Sequence, residues 1–230
     1  MQDQGNTGCS SENKQLNGTF FDMDNEDRIR EGKLLPLVEE FFTVQGEGFN
    51  AGLAAFFIRL GGCDVGCSWC DSRFAWDPGL HTLVETDEII ERAALSGSGS
   101  VVVTGGEPLM WNLGYLCDGL KKKGLSTFIE TSGAYPLSGR WDWICLSPKT
   151  GMPPGEEICG LADELKVIIQ SCGDFEWAEK YKLLVGTGCR LFLQPEWSRF
   201  RTIVPEIVAY VKQHPEWRIS LQIHKYMHIP

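Results

Sequence analysis

Short apolar runs alternate with segments of helical periodicity from about residue 37 to the C-terminus. The runs at 37–44 and 54–60 are rich in large apolar residues and end at glycine-containing turns, which is typical of strands. The same pattern predicts further strands at 100–104, 127–130, 143–146, 165–169, 190–194 and 218–223.

Segments between these strands carry apolar residues at helical spacing. Thr86 is an N-cap candidate for one helix, and Gly124 is a stop signal for another. The predicted helices span 86–95, 112–123, 175–184 and 201–214.

The alternation of strands and helices predicts an α/β fold with a mostly parallel sheet. No clear helix is predicted between the strands at 143–146 and 165–169, so a barrel made of these units is expected to be incomplete.

Polar or glycine-rich residues directly follow six predicted strands. Ligands of such folds bind beyond the carboxyl ends of the strands, so we expect these segments to form one site. They are Gln45-Gly46-Glu47, the cysteine-containing loop at 61–72, Thr104-Gly105-Gly106-Glu107, Glu130-Thr131-Ser132, Ser147-Pro148-Lys149 and Gln194-Pro195-Glu196.

Residues 1–35 are polar and lack any hydrophobic period, so they are expected to form a mobile or partly ordered extension without chemistry of its own. The catalytic domain is predicted to span 36–230.

Composition narrows the range of functions. Of 230 residues, 43% are hydrophobic and 23% charged, as in ordinary globular proteins. The formal net charge of -10 argues against nucleic acid as a partner. No apolar run approaches the roughly 20 residues that span a bilayer, and the N-terminus lacks the pattern of a signal peptide. A cytoplasmic protein without a membrane partner is therefore expected.

Three of the nine cysteines, Cys63, Cys67 and Cys70, form a C-x3-C-x2-C motif after a predicted strand. Thiolates at this spacing on a glycine-containing loop can converge on a metal cluster. A four-iron cluster with three protein ligands keeps one iron open for chemistry. A zinc knuckle without a visible fourth ligand and three unrelated thiols are the alternatives.

The cysteine motif, followed downstream by Gly105-Gly106-Glu107-Pro108, resembles the radical S-adenosylmethionine (SAM) enzymes. The resemblance implies a [4Fe-4S] cluster whose open iron binds SAM, and electron transfer that cleaves SAM to a 5'-deoxyadenosyl radical. It also implies a (βα)6-type partial barrel with reduced helix content.

Flanking motifs over 37–230 resemble one family in particular, the 7-carboxy-7-deazaguanine synthases. The motifs are Val44-Gln45-Gly46-Glu47-Gly48, Phe57-Ile58-Arg59-Leu60-Gly61-Gly62-Cys63, Cys67-Ser68-Trp69-Cys70-Asp71-Ser72, Thr104-Gly105-Gly106-Glu107-Pro108, Ser147-Pro148-Lys149, Glu164-Leu165-Lys166-Val167 and His224-Lys225-Tyr226-Met227-His228-Ile229-Pro230.

This second resemblance implies a radical ring contraction of 6-carboxy-5,6,7,8-tetrahydropterin to 7-carboxy-7-deazaguanine with loss of ammonia, in queuosine and deazapurine biosynthesis. SAM would be regenerated and Mg²⁺ would assist. An electron donor such as flavodoxin or ferredoxin and a homodimeric assembly are also implied.

The resemblance carries site roles onto matching positions of this chain. Cys63, Cys67 and Cys70 would hold the cluster, and Ser72 would bind Mg²⁺. The pterin site would comprise Val44, Gln45, Gly46, Arg59, Thr104 and Pro230, and the SAM site Trp69, Cys70, Asp71, Gly106, Ser147, Pro148, Lys149 and Gln194.

Three of these positions also have a physical rationale. Arg59 ends an apolar strand, where it can pair with a substrate carboxylate in bidentate fashion or form a structural salt bridge. Apolar residues before Pro230 favour a docked C-terminus over a frayed one. Many relatives have threonine where this chain has Ser72, which keeps the hard oxygen donor but loses the methyl group that restricts its rotamer.

Two other functional classes remain open from the sequence. One is an activating enzyme that makes a glycyl radical on a partner protein, since such enzymes share the cysteine spacing and the Gly-Gly-Glu segment. The other is a non-catalytic metal-binding module that holds zinc or a structural cluster.

Overall fold

The strands of the computed structural model, which describes residues 23–230, form one sheet. They are β1 (Leu34–Val44), β2 (Ala54–Leu60), β3 (Thr82–Glu85), β4 (Ser100–Gly105), β5 (Ser126–Thr131), β6 (Trp143–Leu146), β7 (Glu164–Ile169), β8 (Arg190–Pro195) and β9 (Trp217–Ile219). Their spatial order is β3-β1-β2-β4-β5-β6-β7-β8-β9.

Most neighbouring strands in this sheet run parallel. Each pair along the series from β2 through β4 to β9 is parallel, whereas β1 pairs antiparallel with both β2 and β3. The sheet has two edges, β3 and β9, and therefore does not close into a full barrel. The predicted α/β partial barrel with a mostly parallel sheet is confirmed.

The helices are α1 (Met23–Arg30), α2 (Thr86–Leu95), α3 (Gly114–Lys122), α4 (Glu156–Leu161), α5 (Asp174–Lys182), α6 (Phe200–Gln213) and α7 (Ile223–Met227). No α-helix connects β5 to β6 in the described chain, and α4 has only six residues. The reduced helix content expected from the resemblance is therefore present.

Alternation along the strands separates the core from the site, because successive side chains point to opposite faces. In β7, Leu165, Val167 and Ile169 are fully buried in the hydrophobic core. Lys166 and Ile168 lie on the opposite face and line a large cavity. Lys166 therefore faces the cavity, while the apolar residues of β7 face the hydrophobic core.

Helix α4 contradicts the expectation that no helix lies between 143–146 and 165–169. It is less than two turns long, contains Gly160, and has Gly155 rather than a side-chain donor or acceptor at its N-cap. None of these features gives a helical signal in the sequence. Burial of Ile158 and Cys159 against the sheet accounts for the helix instead.

The predicted last strand at 218–223 is too long, because β9 ends at Ile219. The Ser220 amide donates to the Leu193 carbonyl, and its hydroxyl donates to Gln194 Oε1. The amide of Ile223 then binds the Gly46 carbonyl, so the chain leaves the sheet and continues as α7 across the site.

Most of the predicted N-terminal extension, residues 1–22, lies outside the described residues. The rest of it includes α1, where the Arg28 guanidinium forms an ion pair with Glu85. Strand β1 begins at Leu34, two residues before the predicted start of the catalytic domain. Among the described residues, no helix is long and apolar enough to cross a membrane.

Candidate active site

A cavity of about 500 Å³ lies at the carboxyl ends of the parallel strands. Of the predicted site residues, Pro148 and Gln194 do not line it. Those that line it are Val44, Gln45, Gly46, Arg59, Cys63, Cys67, Trp69, Cys70, Asp71, Ser72, Thr104, Gly106, Ser147, Lys149 and Pro230.

The cysteine loop is held in place by backbone hydrogen bonds at its two ends. The amides of Gly62 and Cys63 donate to the carbonyls of Ala75 and Trp76, at 2.7 and 3.0 Å. A Cβ at Gly106 would collide with the Gly62 carbonyl, so the end of β4 can approach the loop only as glycine. The loop is thereby fixed against the sheet.

The three thiols of this loop fit the requirements of a cluster. Cys63, Cys67 and Cys70 are half-buried and face the same cavity. Burial raises the pKa of Cys63 and of Cys67, so a free thiolate is disfavoured there, and metal binding would displace the protons. Soft sulfur donors, three in number, suit an iron–sulfur cluster with one open iron.

Glu107 of the Gly-Gly-Glu segment has a structural role. It is 2% exposed, and its carboxylate accepts hydrogen bonds from the Leu109 amide, the Thr131 hydroxyl, and the amide and hydroxyl of Ser132. All four donors are protein groups, so this carboxylate ties the end of β4 to the end of β5 beneath the cavity.

The predicted SAM wall contains one cation. Lys149 donates from Nζ to the carbonyl and hydroxyl of Ser147, both at 2.6 Å, and lies 5.6 Å from the Trp69 ring centroid. Burial lowers the pKa of Lys149. Gln194 is 3% exposed and accepts a hydrogen bond from Ser220, so it is buried and does not line the cavity.

Arg59 also lines the cavity, and it forms a salt bridge there. Its Nε donates to Glu39 Oε1 at 2.7 Å, and its guanidinium lies 5.8 Å from the Phe74 ring centroid. Neither terminal nitrogen of Arg59 hydrogen-bonds to a described residue, and the side chain lines the cavity. The salt bridge and a carboxylate-binding role are therefore compatible.

A buried lysine connects two carboxylates at the base of the cavity. Lys166, whose side chain is 3% exposed, donates to Glu47 at 2.6 Å and to Glu130 at 2.9 Å. Burial opposes its charge, but the surrounding acidic groups raise its pKa well above the ordinary value. The charge and hydrogen bond of Lys166 outweigh the effect of burial on Glu47 and lower the Glu47 pKa to about 2.

Gln45 is joined to the same network. Its side-chain amide donates to Glu130 Oε1 at 2.8 Å, and its carbonyl oxygen accepts from the Glu47 amide at 3.1 Å. The predicted pterin-binding loop is therefore anchored by charged groups at its base.

The C-terminal segment, residues 220–230, closes one side of the cavity. Gln222 donates to Glu47 at 2.8 Å, and Lys225 donates to Asp71 at 2.9 Å. The Thr43 hydroxyl lies 3.4 Å from the carbonyl oxygen of Pro230. The segment thus contacts β1, the Gln45–Glu47 loop and the cysteine loop, as expected for a docked C-terminus.

Ser72 lies at the edge of the cysteine loop. Its hydroxyl donates to Asp71 Oδ1 at 3.2 Å, and its amide lies 3.4 Å from the Cys70 sulfur. A hydroxyl and a carboxylate oxygen side by side at the cavity are hard donors that fit Mg²⁺.

Several cavity residues were not assigned roles from the sequence: Lys166, Gln222, His224 and Lys225. For Lys166 the sequence contained a signal, because a lysine within an apolar strand indicates a buried charge that needs partners. The other three lie on the C-terminal segment, whose contacts depend on tertiary structure alone.

The radical SAM superfamily model matches residues 57–153. A 7-carboxy-7-deazaguanine synthase from Flavobacterium psychrophilum is 51% identical over 202 residues, covering 88% of this chain and 96% of the relative. The synthase from Synechocystis sp. is 48% identical, covering 84% and 92%, and that from Escherichia coli K12 is 33% identical, covering 84% and 98%. The crystal structure of QueE from Escherichia coli matches with a TM-score of 0.70 at 27% identity, over 84% of this chain and 96% of that one.

Proposed function

Because the chain belongs to the 7-carboxy-7-deazaguanine synthase family of radical SAM enzymes, we propose that its cavity contracts the ring of 6-carboxy-5,6,7,8-tetrahydropterin. The products are 7-carboxy-7-deazaguanine and ammonia, and the reaction belongs to queuosine and deazapurine biosynthesis. One observation carries the proposal. The three thiols that could hold a cluster, Arg59 and the carboxylates at the base all line the same cavity.

Cys63, Cys67 and Cys70 would hold the [4Fe-4S] cluster, and Trp69, Ser147 and Lys149 would border SAM. When bound, these groups supply one-electron chemistry that removes a hydrogen atom from a carbon of the substrate. The protein's own task is to orient the substrate and to keep water from the reacting atoms.

Arg59 would bind the substrate carboxylate through its two terminal guanidinium nitrogens, since Nε is already paired with Glu39. Gln45 and Glu130 offer amide and carboxylate groups that suit the polar edge of a pterin. Lys166 would hold Glu130 in position through its salt bridge. Mg²⁺ held by Ser72 would neutralise part of the substrate's negative charge.

The size of the cavity favours a small-molecule substrate over the two other classes. About 500 Å³ is in the usual range of small-ligand sites, whereas a glycyl-radical activating enzyme must admit a polypeptide segment. A purely structural metal module would have no need of a charged cavity beside its thiols. Neither alternative is favoured by the curated relatives.

Beyond this reaction, we propose an electron donor such as flavodoxin or ferredoxin, a homodimer, a catalytic domain over 36–230 and a cytoplasmic location. The electron donor follows from the radical chemistry, and the location from thiols that must remain reduced. Sedimentation velocity measured on the anaerobically purified protein tests the dimer.

The proposed function is tested by anaerobic turnover of the reconstituted enzyme with the pterin, SAM, Mg²⁺ and reductant, monitored by mass and absorbance. Arg59→Lys is expected to raise KM for the pterin by about tenfold or more, because lysine cannot bind a carboxylate in bidentate fashion. Arg92→Lys, on the outer helix α2, is the matched control. No product from an enzyme with a full cluster would refute the function, and an unchanged KM would remove Arg59 from the site.

A further inference from the structure

A second, smaller cavity of about 10 Å³ lies behind the wall of the first. The two cavities share three lining residues, Gln45, Glu47 and Glu130. The small cavity is completed by Asn50, Val102, Phe128, Ile129, Trp143, Cys145 and Glu164. Its volume is close to that of one water-sized sphere, so it can hold a single small molecule or ion.

Glu164 is the unusual residue of this cavity. It is 2% exposed, and its Oε2 accepts from the Phe49 amide at 3.1 Å and from the Trp143 indole at 3.2 Å. Its Oε1 is buried and has no hydrogen-bond partner among the described residues. Leaving a buried carboxylate oxygen without a partner is costly, so the position calls for a donor or a cation.

Burial raises the pKa of Glu164, so its carboxylate form is disfavoured unless a positive charge lies beside it. The charges around the cavity therefore suit a cation. Three carboxylates, those of Glu47, Glu130 and Glu164, line it. Lys166 offsets part of their charge, but its contacts are to Glu47 and Glu130, and it does not reach Glu164 within salt-bridge distance. Buried charge is stable only when paired, and one further positive charge would reduce the remaining imbalance.

We propose that this cavity binds a water-sized monovalent cation, ammonium or potassium, through Glu164 Oε1. The side-chain oxygen of Asn50 and the Glu47 and Glu130 carboxylates, which line the same cavity, would be further oxygen ligands. A doubly charged ion such as Mg²⁺ demands an octahedral shell that keeps several waters, for which the cavity is too small.

The two candidate cations have different sources. Potassium comes from the solvent. Ammonium is also supplied by the proposed reaction, because ammonia released in the main cavity takes up a proton in water. The shared lining residues place the small cavity directly beside the large one.

Cation binding is tested first by thermal unfolding of the anaerobically reconstituted holoenzyme. Ammonium, potassium and choline chloride are compared at equal ionic strength. At ten times the dissociation constant, we expect ammonium or potassium to raise the melting temperature by about 3 to 6 °C relative to choline. Equal melting temperatures in all three salts would overturn the site.

Two variants assign the effect to the cavity. Glu164→Gln is expected to abolish the cation-dependent shift, because the negative charge is lost. Glu40→Gln is the matched control, since Glu40 is part-buried, forms a salt bridge with Arg92 and lines neither cavity. An undiminished shift in Glu164→Gln contradicts the proposal.

A crystal of the wild-type holoenzyme soaked in thallium(I) acetate tests the site without a variant, so it remains decisive if Glu164→Gln fails to fold. An anomalous peak in contact with Glu164 Oε1 is expected if the cavity accepts potassium-like ions. A 15N-ammonium signal protected from exchange, present in wild type and absent in Glu164→Gln, identifies ammonium. Absence of both signals leaves a water molecule only and overturns the proposal. None of these measurements needs turnover, so they stand or fall separately from the ring contraction.

Discussion

Lys166 shows how a single buried charge can organise a site. Its side chain is 3% exposed, and its ammonium bridges Glu47 and Glu130, which belong to different elements. Buried ion pairs gain little net stability, but removal of one partner strands the other charges in the interior. Lys166 therefore matters more for holding the base of the cavity together than for stability as such.

Replacing this lysine by methionine removes the charge but keeps most of the volume. We expect Lys166→Met to lower the free energy of unfolding by about 3–5 kcal/mol, because Glu47 and Glu130 lose their buried partner. Lys182→Met is the control, since Lys182 pairs with Glu179 and Glu216 in part-exposed salt bridges and should cost no more than about 1 kcal/mol. Urea denaturation measures both, and equal losses would contradict a special role for Lys166.

The lowered pKa of Glu47 predicts how stability depends on pH. Its carboxyl titrates at about 2 in the folded chain, below its ordinary value of 4.5. A depressed pKa stabilises the fold above the unfolded value and loses that contribution as the pH falls towards the folded one. Between about pH 5 and pH 2, stability should therefore fall more steeply in the wild type than in Glu47→Gln. Parallel pH profiles in urea denaturation would show that Glu47 carries no such linkage.

The side chain at position 72 is expected to affect magnesium binding rather than binding of the cluster. Ser72 offers a hydroxyl next to the Asp71 carboxylate, outside the three thiols. Ser72→Ala should weaken magnesium stimulation of turnover and leave iron and sulfide content unchanged, because only the hard oxygen donor is lost. Ser72→Thr, which retains the hydroxyl, should keep the stimulation. An unaltered magnesium titration curve for Ser72→Ala would remove the residue from the metal site.

At the level of elements, the C-terminal segment, which includes α7, lies across the cavity. Lys225 and Gln222 bind Asp71 of the cysteine loop, and Gln222 also binds Glu47. A Cβ at Gly46 would collide with the His224 ring, which shows how closely the C-terminal segment packs on the predicted pterin-binding loop. The C-terminal segment thus holds both the cysteine loop and the predicted pterin-binding loop.

Mutating the Lys225–Asp71 ion pair should affect substrate binding. Lys225→Met is expected to raise KM for the pterin by about fivefold, as loss of a part-exposed ion pair of about 1 kcal/mol implies. Asp71→Asn should cost at least as much, because Asp71 also contacts Ser72 and Gln222. The double variant should be no worse than Asp71→Asn alone, because Asp71→Asn already removes the ion pair. Additive effects in steady-state kinetics would mean that the two residues act independently.

The sequence predicted the elements with long or strongly apolar patterns and missed those that tertiary contacts create. Strands such as β2 and β8 and helices such as α2 and α6 lie within a few residues of their predictions. Strand β3 has four residues and exists because it pairs with β1. Pro36 stands within β1, where it concealed the true start of that strand.

For the whole molecule, parallel strand order explains why so much of the site was predictable. Segments that follow parallel strands meet at one edge of a sheet, so Thr104, Ser147 and the cysteine loop converge without further information. The pairing of Arg59 with Glu39 across antiparallel strands, and the return of the C-terminus over Thr43, depend on side-chain packing between distant segments. The sequence favours a docked C-terminus and a paired Arg59, but it contains no local signal for the partner of either.

The ring contraction proposed for this fold uses SAM and a three-cysteine cluster, with SAM regenerated in each cycle. The most direct measurement is anaerobic turnover at limiting SAM, with pterin, deazaguanine, ammonia and SAM quantified together. We expect one 7-carboxy-7-deazaguanine and one ammonia per pterin consumed, in large excess over a SAM pool that stays constant. A fully loaded enzyme that makes no deazaguanine, or that makes no more than the SAM it destroys, would contradict it.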